Sequence, residues 1–268
     1  MRSGKTMKTF RQYLSSIPII HLCLLLIVFA LASCGGVQTK KTADKTVEVV
    51  TQKATRDYLP VRQYDEAGQL LPFEPKPNPY LEIKGKIDKQ AVVSFIEARK
   101  AYKSKNYERA EALLRQIIET DKKLAGPWVM LGNIAEENKQ SDQAIDHYLK
   151  AIQVNRLNVN AYLPLARLQR EKGQFLEAQN TYAEALAVWR DFPEAHLNLA
   201  ILYDLYLNDS LQAQQHMEAF QFLKGEKDAQ VAEWLKEIRS RTGIEPNLYI
   251  GPSNASQIQS PEGDKTGT

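Results

Sequence analysis

Ala110, Ala144 and Ala178 stand 34 residues apart, each at the same place in "NYERAEALLRQII", "QSDQAIDHYLKAI" and "GQFLEAQNTYAEAL". A recurrence of that length narrows the choice of fold sharply. Each unit must be a small supersecondary element that cannot cover its own apolar face and so stacks on its neighbours. Apolar residues recur every three or four positions within a unit, which predicts two amphipathic helices in each. Small residues such as Gly132, Ala166 and Ala200 on the first helix let the second approach closely, and Ala144, Ala151, Ala178 and Ala185 do the same from the second. Trp128, Leu131, Tyr148, Leu165 and Tyr182 are large enough to fill the space between layers. These residues are the predicted core.

The unit from Ala125 carries Trp128, Leu131, Gly132, Ala144, Tyr148 and Ala151, and the next carries Tyr162, Leu165, Ala166, Gly173, Ala178, Tyr182 and Ala185. Both resemble the tetratricopeptide-repeat signature. The resemblance covers about residues 91–243 and implies an all-α solenoid of three to four helix-turn-helix repeats. The first unit is looser, with Ser94 and Glu97 where an aromatic residue and a leucine are usual. In the fourth, Leu199, Ala200 and Tyr203 fit, but Ala213 arrives one residue late, so its turn holds an extra residue. Val231, Trp234, Leu235 and Ile238 then share one helical stripe that stops at Gly243, which predicts a capping helix over the last unit. The expected organisation is a repeat array at 90–226, the capping helix at 227–243 and a Ser-, Gly- and Pro-punctuated, disordered tail at 244–268.

In tetratricopeptide proteins the first helix of each unit lines a groove that takes a partner. The resemblance places Phe95, Arg99, Tyr102 and Lys103, then Val129, Asn133, Glu136 and Glu137, then Asn160, Leu163, Arg167, Arg170 and Glu171 on that groove. The fourth unit puts Leu197, Ile201 and Leu205 there, an aliphatic surface expected to be covered by the capping helix. Phe95, Arg99, Tyr102, Asn133, Glu136, Arg167, Arg170, Leu197 and Ile201 are the candidate partner-binding residues. The Lys-Asn-Arg clamp with which related domains hold the C-terminal tails of chaperones is missing, since those places read Phe95, Arg99, Met130, Asn160 and Pro164. That ligand class is disfavoured.

The N-terminus has its own order. "MRSGKTMKTFRQYLSS" carries four basic residues and no acidic one, and an apolar run of about 16 residues follows, shorter than the roughly 20 that span a bilayer as a helix. The run ends in Leu31-Ala32-Ser33-Cys34, which resembles the lipobox of bacterial lipoproteins. What this resemblance implies is a signal peptide at 1–33, cleavage before Cys34 and acyl chains on the cysteine. Each buried methylene then stabilises membrane attachment by about 0.8 kcal/mol. Gly35, rather than an aspartate, implies export to the outer membrane of a Gram-negative bacterium, facing the periplasm. The segment 34–89, with Pro72, Pro75, Pro77 and Pro79 close together, reads as a free, semi-rigid linker.

Without residues 1–33 the chain holds 31 basic and 32 acidic residues, so the basic excess of the whole sequence belongs to the signal, and no nucleic-acid surface is indicated. Cys23 leaves with the signal, so no disulfide is available and the fold must bury its own core. Catalysis needs converging groups of tuned acidity. Outside the signal only His147, His196 and His216 remain, none with metal-site spacing, and His196 with Asp204 on one helix lacks a serine. The sequence predicts no enzyme, cofactor, metal or small-molecule substrate. It predicts a lipid-anchored interaction scaffold that binds an envelope protein or peptide, in the manner of a pilotin-like factor for a pilus or secretin or of an adaptor for peptidoglycan hydrolases.

Overall fold

The 34-residue recurrence becomes four antiparallel helix pairs, followed by one single helix. A computed structural model describes residues 50–244 apart from 64, 70, 84, 226 and 227, so the signal, Cys34 and the tail beyond 244 lie outside the described residues. The pairs are α1 (Lys89–Lys103) with α2 (Tyr107–Thr120), α3 (Ala125–Glu137) with α4 (Ser141–Val154), α5 (Tyr162–Glu171) with α6 (Phe175–Val188), and α7 (Pro193–Leu205) with α8 (Ser210–Lys224). Helix α9 (Ala229–Thr242) closes the series. Consecutive helices pack on one another throughout, and there is no strand among the described residues.

Local chemistry sets the ends. Asp88, Asn106, Asp209 and Asp228 accept backbone N–H groups of the first turns of α1, α2, α8 and α9, satisfying donors that a helix start leaves free. Inside the first three pairs the same turn recurs. Lys105, Lys139 and Gly173 adopt left-handed backbone (φ 61°, 61° and 76°), and the residue after each donates five positions back, Asn106 to Ala101, Gln140 to Ala135 and Gln174 to Gln169. This is the Schellman closure, and glycine is the residue that takes it without steric cost. In the fourth pair the left-handed residue is Asn208 (φ 52°), 35 positions on, which accounts for the late Ala213.

Packing follows the small-and-large alternation. Ala98, Ala110, Ala144, Ala151, Ala166, Ala178, Ala185 and Ala200 are fully buried, and Tyr148, Tyr162, Tyr182 and Tyr203 are the largest buried side chains. Gly132 shows why the small residues matter: a Cβ there would lie 2.5 Å from the Tyr148 ring. The ring packs against Gly132 of α3 and sends its hydroxyl to Asn133 (2.7 Å) and Glu136 (2.6 Å). On α9, Val231, Leu235 and Ile238 are buried against the fourth pair, while Trp234 donates to Asp204 at 2.7 Å.

From residue 50 on, the stretch expected as a linker is a strap laid along the repeats. At one end Lys53 is held by its backbone: its N–H donates to Asn180 (2.7 Å), and its carbonyl accepts from Gln179 (2.7 Å). Phe73 meets Phe222, whose ring also carries the Arg62 guanidinium. Lys76 donates its N–H to Asp191 (2.8 Å) and accepts from the Trp189 indole (2.7 Å). The correction has a physical reason: proline-rich chain lacks an apolar period, but its own backbone groups find side chains on α6 and the α6–α7 turn.

Thr55 fixes the strap most deeply. It is fully buried, as are His196 and His216. The carbonyl of Arg190 can only accept, so His196 Nε2 (3.0 Å away) carries a proton. His196 Nδ1 therefore accepts from His216 Nδ1 (2.9 Å), and His216 Nε2 accepts from the Thr55 hydroxyl (2.8 Å), whose one proton it shares with Gln212 Oε1 3.1 Å away. Thr55 in turn accepts from Tyr203 (2.9 Å), which accepts from Gln179 (3.0 Å). This one-way chain is satisfied with both imidazoles neutral. Burial pushes His196 down to about 4 and His216 well below the ordinary imidazole value.

These contacts set how stability responds to substitution and to pH. Gly132→Ala forces the Tyr148 ring away and lowers unfolding stability by about 1 to 3 kcal/mol, whereas Lys139→Gly relieves the left-handed turn and raises it by up to about 1 kcal/mol, both read by chemical denaturation. As pH falls below the unfolded imidazole value near 6.5, the unfolded chain takes up protons that the folded one refuses. Stability therefore drops by up to about 1.4 kcal/mol per pH unit for each buried histidine, down to about pH 4 for His196, and His216→Gln flattens that slope in denaturation curves measured across pH.

Candidate functional site

Helices α1, α3 and α5 bring their groove residues together, but the groove is not uniform along its length. Its first part is a cleft of about 440 Å3 lined by Phe95, Arg99, Tyr102 and Lys103 of α1, by Val129, Met130 and Asn133 of α3, and by the turn before α5. Gly126 at the start of α3 opens this space: the Phe95 ring edge and the Tyr80 hydroxyl come within 3.6 and 3.9 Å of where a side chain would begin. Tyr80, the far end of the strap, lines the same cleft, and burial raises its phenol above the ordinary range. Four of the candidate residues, Phe95, Arg99, Tyr102 and Asn133, thus meet in one place.

The next part of the groove is occupied by its own charges. Arg167 bridges Glu136 of the preceding repeat and Glu171 one turn further along α5, the latter at 2.9 Å. Glu136 also accepts from Tyr148, and Glu137 accepts from Tyr102 (3.4 Å) and Tyr107 (3.2 Å). The Arg170 guanidinium lies over the Tyr206 ring, 5.5 Å from its centre. Glu136, Arg167 and Arg170, placed on the groove with Arg99, therefore already have partners within the solenoid. The spacing puts Glu136 and Arg167, 31 residues apart, on successive first helices, but only the packing shows that they pair.

The last part is aliphatic. Leu197 and Ile201 are half-buried, Leu197 against the main core, while Leu205 stays 58% exposed. Helix α9 reaches α7 through Trp234 and Arg241, both bonded to Asp204, so it covers part of this face and leaves Leu205 open. His196 and Asp204 do not converge: one is buried against His216 and the other is bound to α9. Among the described residues no cluster of His, Cys, Asp and Glu could hold a metal ion, and no helix is long and apolar enough to cross a membrane. Cys34 lies outside the described residues.

The comparisons agree with this geometry. Tetratricopeptide-repeat profiles match residues 125–156 and 163–205, the repeats formed by α3–α4 and by α5–α7. No curated protein matches the sequence. Among solved structures, MamA protein is similar to it at 14% identity over 59% of this chain and 85% of that one, with a TM-score of 0.50. Pseudomonas aeruginosa pilF is similar at 17% identity over 57% of this chain and 69% of that one, also with a TM-score of 0.50. Identities this low establish the fold alone. The matched profiles are those of an interaction repeat and not of a catalytic family. The chain carries tetratricopeptide repeats, and its described helices are a tetratricopeptide-type α-solenoid closed by a capping helix.

Proposed function

We propose that this protein is an interaction scaffold of a bacterial envelope, held by lipid on Cys34 to the outer membrane and facing the periplasm, which takes an envelope protein or peptide in the groove of its repeats to assist assembly of a larger complex. The observation that carries the binding reading is the cleft between α1 and α3, an apolar floor rimmed by polar and cationic groups. Such a concave, mostly apolar surface with a few placed polar groups suits recognition of another chain. The anchor rests on the lipobox-like stretch at Leu31–Cys34.

The two halves of the proposal separate experimentally. Cys34→Ser is expected to move the protein out of the outer-membrane fraction, or to leave an unprocessed precursor, with loss of palmitate labelling. An unchanged fraction with retained label contradicts the anchor. Val129→Glu places a carboxylate on the cleft floor beside Arg99 and is expected to abolish partner crosslinks detected in cells by mass spectrometry, with helical circular dichroism unchanged. Crosslinks of undiminished yield contradict the groove.

A further inference from the structure

Charge pairing divides the groove in a way that its residue types alone do not. Every cation in its middle is neutralised or stacked: Arg167 by Glu136 and Glu171, and Arg170 by Tyr206. Arg99 and Lys103 differ. They stand four residues apart on one face of α1, both exposed, and neither has a carboxylate within ion-pair distance among the described residues. The cleft that they rim includes no acidic residue in its lining. Its floor is Phe95, Val129 and Met130, and its wall includes Asn158, whose side chain is 1% exposed and whose Oδ1 has no donor among the described residues.

Two like charges held close together without a counter-ion repel one another and attract an anion, and an apolar floor beside them is left wet until a side chain covers it. A partner that satisfies both presents a carboxylate and, next to it, an aliphatic or aromatic side chain on extended backbone. The Lys-Asn-Arg clamp with which related domains hold chain-terminal carboxylates is missing here, so the negative charge is assigned to a side chain within the segment. The volume of about 440 Å3 accommodates a short stretch of peptide.

Resting on the groove reading above, we infer that the cleft between α1 and α3 binds an extended internal segment of another protein in which an aspartate or glutamate lies beside a large apolar residue, the carboxylate going to Arg99 and Lys103 and the apolar side chain to the floor of Phe95, Val129 and Met130. Arg167 and Arg170 play no part in this recognition, because binding there would first have to break contacts that the solenoid already makes.

The test is an array of short synthetic peptides with acidic, basic and uncharged members in equal number, each with and without a large apolar residue, probed with the detergent-solubilised full chain. Bound peptides are expected to be acidic and to carry the apolar residue. Arg99→Gln with Lys103→Gln is expected to weaken the best of them about tenfold in fluorescence anisotropy and to remove the salt dependence of binding. Arg170→Gln is expected to leave affinity unchanged. Both changed side chains of the double variant are exposed, and an unchanged helical spectrum verifies that it folds. Selection of basic or uncharged peptides, full affinity in the double variant, or no bound peptide at all overturns the inference. If Val129→Glu still abolishes binding of the peptides selected, the groove reading survives and only the charge assignment falls; if it does not, both fall.

Discussion

A pair of amphipathic helices has more apolar surface than it can hide within itself, and in this chain nearly everything else follows from how that surplus is covered. Inside the stack the next pair does it, with alanines and Gly132 bringing backbones together and tyrosines filling the space that remains. At the C-terminal end α9 does it with Val231, Leu235 and Ile238. At the N-terminal end no pair precedes α1 among the described residues, and Val92, Val93 and Ile96 of α1 are exposed there. The open cleft lies against this same helix, so the part of the solenoid with the least internal cover is also the part equipped to meet another chain.

The strap adds a second kind of cohesion. Its apolar contribution is small, chiefly Leu59 and Phe73, but Thr55 completes a buried relay of polar groups that would be costly to leave incomplete. An unpartnered His216 Nε2 in that environment is worse than no polar group at all. The relay thereby ties a segment near the N-terminus to the fourth repeat, while Tyr80, farther along the same segment, lines the cleft at the first. One extended stretch thus touches both ends of the array.

Which of these features the sequence disclosed depends on whether they are periodic. The repeats, the extra residue in the fourth turn and the stripe of α9 are regularities of spacing, and spacing is visible in a single chain. The strap is not, because an extended segment has no recurrent apolar face and its partners, Gln179, Asn180 and His216, lie more than a hundred positions away. The groove was legible as a surface but not as a set of charges. Repeat positions say that Arg99, Arg167 and Arg170 share a face; only packing shows that Glu136, Glu171 and Tyr206 engage the last two. His196 illustrates the same limit, since a packing role could be read from its place on an apolar helix but its pairing with His216 could not.

Hydrogen exchange of the backbone amides of the full chain, followed by mass spectrometry, tests the central claim most directly, because local opening reports how well each part is covered by its neighbours. The account predicts slow exchange through α3 to α8 and, with them, in the Lys53 amide that Asn180 holds and the strap around Thr55, and faster opening of α1 at the uncovered end. A strap exchanging at the rate of free chain, or an α1 as protected as the central repeats, would contradict it.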